Sequence, residues 1–182
     1  MSPIAGVRPR LIERDGQVVW EYDDGGRVAA GFRGHAGDCA TRAIAIATGR
    51  PYREVYDELF ERARAAPLPR KPSGRKRKTA SPRHGVSKVV SREYLLDHGW
   101  YWTPTMGFGT GCRVHLRREE LPAPRLIASC SRHLVAVIDG VIRDTYDPSR
   151  DGSRCVYGIW TPRDRPPPIM VDGELRDYSV LP

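Results

Sequence analysis

The stretch Cys39-Ala40-Thr41-Arg42-Ala43-Ile44-Ala45-Ile46-Ala47 constrains the fold more than any other part of the chain. As a helix it is apolar on most of its circumference, and such a helix is stable only when other layers bury it. Asp38 stands where an N-cap belongs, with a carboxylate suited to accept the free amide protons of the first turn. Gly49 is the expected stop, because glycine enters the left-handed conformation that ends helices. Pro51 opens a second helix with Val55, Leu59 and Ala63 on its core side. A third helix is predicted over 86–98, with Val89, Val90, Tyr94 and Leu95 at helical spacing and Gly99 after it.

The layers that cover these helices read as strands. Residues 11–13 and 18–22 flank Asp15-Gly16, and Asp23-Asp24-Gly25-Gly26 leads into a further strand over 27–32. Residues 113–116 form a short strand, and the region 125–160 is almost entirely strand, at 126–129, 133–138, 141–146 and 156–160. Helices first and strands last predict an α+β fold, with N-terminal helices packed on a C-terminal antiparallel sheet. The 182 residues suit one domain, taken as 1–162, followed by a loosely packed tail over 163–182.

The net charge of +8 is local. Arg70, Lys71, Arg75, Lys76, Arg77, Lys78 and Arg83 supply seven positive charges in a proline-rich insertion at about 65–85, so basicity describes one segment rather than the whole surface. No run approaches the ~18 apolar residues of a membrane span, and MSPIAGVRPR lacks the apolar core of a signal peptide. The expectation is a cytoplasmic protein whose cysteines, Cys39, Cys112, Cys130 and Cys155, stay reduced.

One cysteine has a position that packing does not require. Cys39 follows Asp38 at the start of the buried helix, where unpaired amides favour the thiolate. A thiolate nucleophile needs an imidazole beside it, and the imidazole needs an orienting group. With Asp139-Gly140 as a two-residue turn, Ile138 pairs with Val141, Val137 with Ile142 and Ala136 with Arg143. His133 and Asp144 then share a face as diagonal neighbours, with Cβ atoms roughly 5–8 Å apart. Asp147 falls on the opposite face and serves only if a bulge shifts the strand.

Gly37-Asp38-Cys39-Ala40 opening an apolar helix, His133 heading a later strand and Asp144 on the next resemble the papain-like cysteine peptidases over residues 33–160. The nearest variety is the small bacterial and phage C39-like peptidases of uncharacterised function. The resemblance implies a papain-like fold without cofactor or metal. Cys39 would be nucleophile, His133 base and Asp144 orienting group, acting on a peptide or related amide. Such enzymes place a glutamine upstream of the cysteine to donate to the oxyanion. Here Arg33 occupies that place, which leaves the Cys39 amide with Arg33 or His35 as candidate donors. Trp102 and Met106 would be apolar walls of the substrate groove.

Other readings compete. A papain-like domain without activity could use the basic segment, with stacking from Trp100, Tyr101 and Trp102, to hold nucleic acid or an acidic protein. Cys112-x-x-His115 and Cys130-x-x-His133 offer four zinc ligands, although residues three apart on a strand face opposite ways. Gly107-Phe108-Gly109-Thr110-Gly111 lacks the lysine and strand–loop–helix setting of a phosphate loop, and reads as a loop beside the cleft.

Overall fold

The computed structural model of the chain describes residues 10–66, 81–164 and 166–177. The basic residues Arg70, Lys71, Arg75, Lys76, Arg77 and Lys78 lie outside the described residues; Arg83 lies within them.

The apolar stretch forms α1, Cys39–Thr48. It ends at Gly49, whose φ of 70° puts it in the left-handed region and whose amide donates to the Ala45 carbonyl. Ala40, Ala43, Ile44, Ala45 and Ala47 are buried, and so are the polar Thr41 and Arg42. The second helix, α2, runs Tyr52–Ala65 and buries Val55, Leu59 and Ala63. Pro51 is its N-cap rather than its first helical residue. The third, α3, runs Lys88–Asp97 with the Ser87 hydroxyl accepting the Val90 amide at 3.3 Å. Val90, Tyr94 and Leu95 face the core as expected, but Val89 is 60% exposed. Starting the helix at Lys88 turns Val89 outward and brings Ser91 in beside Val90.

Seven strands form one sheet: β1 (Leu11–Arg14), β2 (Gln17–Tyr22), β3 (Trp100–Pro104), β4 (Arg125–Cys130), β5 (His133–Ile138), β6 (Val141–Asp144) and β7 (Gly158–Pro162). Their spatial order is β1-β2-β6-β5-β4-β7-β3. The expected antiparallel sheet needs one correction, since β2 lies parallel to β6, with Trp20 opposite Ile142. All three helices intervene between those strands, a connection long enough to permit parallel pairing. The β5–β6 register is the one the sequence predicts, Ala136 with Arg143, Val137 with Ile142 and Ile138 with Val141. Asp139 (φ 50°) and Gly140 (φ 77°) make its two-residue turn.

Apolar layers cover both faces of the sheet. On one, α1, α2 and α3 pack against Ile127, Ala136 and Trp160. On the other, Leu126, Ala128, Val135, Val137 and Ile159 meet Val114, Leu116, Leu121 and Ala123. This two-sided burial explains why β4 reads as a continuous apolar run rather than an alternating one. The expected loose tail also contributes. Ile169–Val171 (β8) and Glu174–Arg176 (β9) form a hairpin that buries Leu175 in this second layer.

Three local expectations change. Residues 27–31 lie in turns instead of a strand, because the Asp24 carboxylate accepts the Gly26 and Val28 amides at 2.9 Å each and curls the chain. The stretch 113–116 holds only a single bridge, His115 to Cys155. Cys112 and Cys155, expected as thiols, form a disulfide, with their Cα atoms 5.8 Å apart. Among the described residues no helix is long and apolar enough to cross a membrane.

Gly158 on β7 lies directly beneath the Trp102 ring. A Cβ there would overlap the indole and meet the Thr103 carbonyl oxygen at 2.9 Å. Gly158→Ala is therefore expected to cost about 1–3 kcal/mol by overpacking. At ~2–4 °C per kcal/mol for a chain of this size, thermal unfolding should move down by several degrees. An unchanged midpoint would show that Trp102 moves aside without cost.

Candidate active site

Burial dictates the arrangement at the start of α1. Asp38 is fully buried, and a carboxylate removed from water must find cations or donors. It therefore does not act as the expected N-cap and makes no side-chain cap bond. Instead it pairs with Arg42, accepts the Tyr52 hydroxyl at 2.5 Å, and lies 3.0 Å from Arg27 Nε. Burial and the neighbouring carboxylate push the Tyr52 hydroxyl well up, so it serves as a donor. The charge of Asp38 is thus met by two arginines, and its carboxylate does not cap the first-turn amides of α1.

His133 opens β5 and Asp144 ends β6, and the hairpin brings them together as the register requires. His133 Nε2 is 2.6 Å from Asp144 Oδ2. Asp144 Oδ1 accepts Arg42 Nη2 at 3.0 Å and the Thr145 amide at 2.7 Å. The Tyr146 ring lies 5.5 Å from the imidazole. With Nε2 committed to Asp144, Nδ1 is the nitrogen left for Cys39.

The electrostatics favour charge separation. For Cys39, burial pushes the thiol up, but the His133 hydrogen bond and the Leu134 backbone amide outweigh it, and the net direction is down. For His133, burial pushes down, and the bonds to Asp144 and Cys39 carry it up to about 9. Asp144 would be raised by burial but is held low by His133 and then Arg42. Both shifts favour a thiolate beside an imidazolium over a neutral thiol beside a neutral imidazole. Arg42, despite a burial effect that lowers it, is raised by Asp144 and Asp38 and stays charged.

Cys39 and His133 open onto a cleft of about 420 Å³ that also exposes Trp102, Trp160, Leu134, Lys88 and Arg92. Trp102, expected as a groove wall, is one, its ring 5.1 Å from that of Trp160. Met106 is not. It lines a separate depression with Met170 and Gly173, because the strand that carries Trp102 ends at Pro104 and the chain turns away. Arg33 and His35 are exposed and outside the cleft lining. The Arg33 carbonyl is instead held by Arg27 at 3.2 Å and Arg83 at 3.3 Å. In place of that loop, residues 84–86 flank the cysteine, anchored by the Gly37 amide on the Arg83 carbonyl at 2.8 Å. Asp147 lies away from the histidine, 3.5 Å from Arg14.

The four zinc ligands do not assemble. Cys112 is bonded to Cys155, His115 pairs with Glu120 at 3.1 Å, and His133 faces Asp144. Among the described residues no group of three or more histidine, cysteine or acidic side chains is placed to hold a metal ion. Cys130 is buried and unbonded, its thiol pushed up to about 11 by burial, so it is no rival nucleophile.

Sequence reasoning missed the network of Arg27, Asp38, Arg42 and Tyr52 and the cations of the cleft. One signal was present, an arginine inside an otherwise apolar helix, four residues after an aspartate. No protein-family model, no curated protein and no solved structure matches the chain.

Arg42→Ala should leave Asp144 and Asp38 buried with one cation fewer. Denaturant unfolding is expected to show a loss of about 3–5 kcal/mol, as for removal of one partner from a buried ion pair. A loss below about 1 kcal/mol would place the guanidinium in solvent and disprove the bridge.

Proposed function

We propose that the protein is a cysteine hydrolase of papain-like design, cleaving a peptide or related amide through Cys39, His133 and Asp144. One observation carries the reading. Cys39, at a helix N-terminus, and His133 line one cleft, the histidine lowers the thiol pKa, and its Nε2 lies 2.6 Å from a buried carboxylate. A structural cysteine gains nothing from that company. The mixed α+β architecture, with the nucleophile's helix packed on a largely antiparallel sheet, supports the papain-like part of the reading.

The chemistry follows from the geometry. The Cys39 thiolate attacks the carbonyl carbon, a carbon–sulfur bond forms, and the carbonyl π electrons move to oxygen. Of the candidate donors to the developing oxyanion, the Cys39 amide is kept, whereas Arg33 and His35 lie outside the cleft lining. On collapse the carbon–nitrogen bond breaks, and His133 Nδ1 gives its proton to the leaving amine. A water then loses a proton to Nδ1, its oxygen attacks the thioester, and the carbon–sulfur bond breaks to return the thiolate. Asp144 keeps the ring oriented and stabilises its cationic form. This cycle needs Cys39 reduced, and Cys39 is unpaired. It can run in the cytoplasm or in the oxidising setting where Cys112–Cys155 would persist.

Two pH profiles test the proposal. Alkylation of Cys39 by iodoacetamide, read by mass spectrometry, should rise with an apparent pKa below the ordinary 9.0 and then stay flat. Hydrolysis should rise over the same range but fall again near pH 9, as His133 loses the proton that the leaving amine requires. His133→Ala should slow alkylation at pH 7 by about 10- to 100-fold. Asp144→Asn should move the alkaline limb to lower pH, because removing the carboxylate lowers the imidazole. A Cys39 that titrates like a free thiol in wild type would end the hydrolase reading.

A further inference from the structure

The cleft carries a charge pattern that the hydrolytic chemistry does not need. Its lining includes Lys88, Arg92 and Arg132 and, among the described residues, no aspartate or glutamate. Lys88 and Arg92 are one turn apart on α3, and Ser91 between them also reaches the cleft. Arg132 comes from a different element, the turn between β4 and β5, one residue before His133. All three are exposed, and their side chains have no hydrogen-bond or ion-pair partner among the described residues. Several arginines elsewhere do pair with a carboxylate, among them Arg14 with Asp151, Arg50 with Glu58, Arg62 with Asp97 and Arg143 with Glu21. Unmatched cations of one sign around a concave, partly apolar site concentrate field there and favour an anionic occupant. The apolar part of the lining is Trp102, Trp160 and Leu134, which receives a side chain rather than a charge.

On the reading of Cys39 as an acyl-transfer nucleophile, we propose that the substrate is an acidic peptide. Carboxylates beside the scissile amide pair with Lys88, Arg92 and Arg132, and an apolar or aromatic side chain rests on Trp102 and Trp160. A nucleic-acid strand would satisfy the cations, but it presents no acyl carbon to the thiolate. A cleft of about 420 Å³ also has the size of a site for a few side chains rather than a track for a strand.

The test uses the full chain and a readout that does not require turnover. Protection of Cys39 from iodoacetamide is measured with the peptide Ac-Glu-Asp-Phe-Glu-Asp-amide, its Gln/Asn counterpart, and oligodeoxythymidylate of equal charge. Tryptophan emission gives a second binding signal that needs no reactive thiol. The acidic peptide is expected to act at about tenfold lower concentration than its amide counterpart, an advantage that fades in ~0.5 M salt. Lys88→Glu with Arg92→Glu should reverse the preference, and Lys88→Gln with Arg92→Gln should reduce it. Equal action of the two peptides, stronger action of the oligonucleotide, or indifference to the charge reversal would overturn the proposal. Cleavage of the same peptides separates the two readings. Acidic selectivity in binding without cleavage keeps the substrate class and ends hydrolysis, whereas cleavage of both peptides at equal rates does the opposite.

Discussion

The Arg42 guanidinium joins the two halves of the site. It projects from α1, is buried, and meets Asp38 at the head of its own helix and Asp144 at the end of β6. A carboxylate or guanidinium taken out of water costs several kcal/mol unless it is paired and hydrogen-bonded. Here Asp38 is met by Arg27 and Arg42, and Asp144 by Arg42 and His133. Removing any one leaves an uncompensated charge in a region with little water to screen it. The position of α1 relative to β6 is therefore fixed by electrostatics as much as by packing, and with it the approach of Cys39 to His133.

Packing does the remaining alignment. The apolar side of α1 rests on the sheet through Ala43, Ile44 and Ala47, small enough for close approach to Ala136 and Ile127. The opposite face of the sheet is sealed by the segment from Val114 to Ala123 and by Leu175. The Cys112–Cys155 disulfide ties the start of that segment to the residue before Val156, whose neighbour Tyr157 reaches the cleft. A central strand pair covered on both faces moves little, so His133 and Asp144 sit on a rigid support while the cleft is built from loops and helix ends.

How much of this was legible depends on the range of the interaction involved. Cys39, His133 and Asp144 could be singled out because helix starts and two-residue hairpins are local. Asp139-Gly140 sets a register, and the register sets which side chains share a face. The basic segment was legible as composition, but its run from Arg70 to Lys78 lies outside the described residues. Asp38 was placed at the right position and given the wrong partner, because an N-cap is the local use of an aspartate and a buried ion pair is the non-local one. Met106 and Arg33 were misplaced for a related reason. Closeness in sequence to a site residue does not survive a chain reversal.

The sequence by itself determined the helix of Cys39 and the hairpin of His133 and Asp144, since each follows from periodicity and turn chemistry over a few residues. Only the tertiary structure decided that β2 runs parallel to β6, that Cys112 meets Cys155, and that Lys88, Arg92 and Arg132 converge on one cleft. It also decided that Arg42 reaches Asp144, a residue 102 positions away. Those contacts join segments far apart in the chain, and their partners are chosen by the burial of the whole core rather than by any local preference.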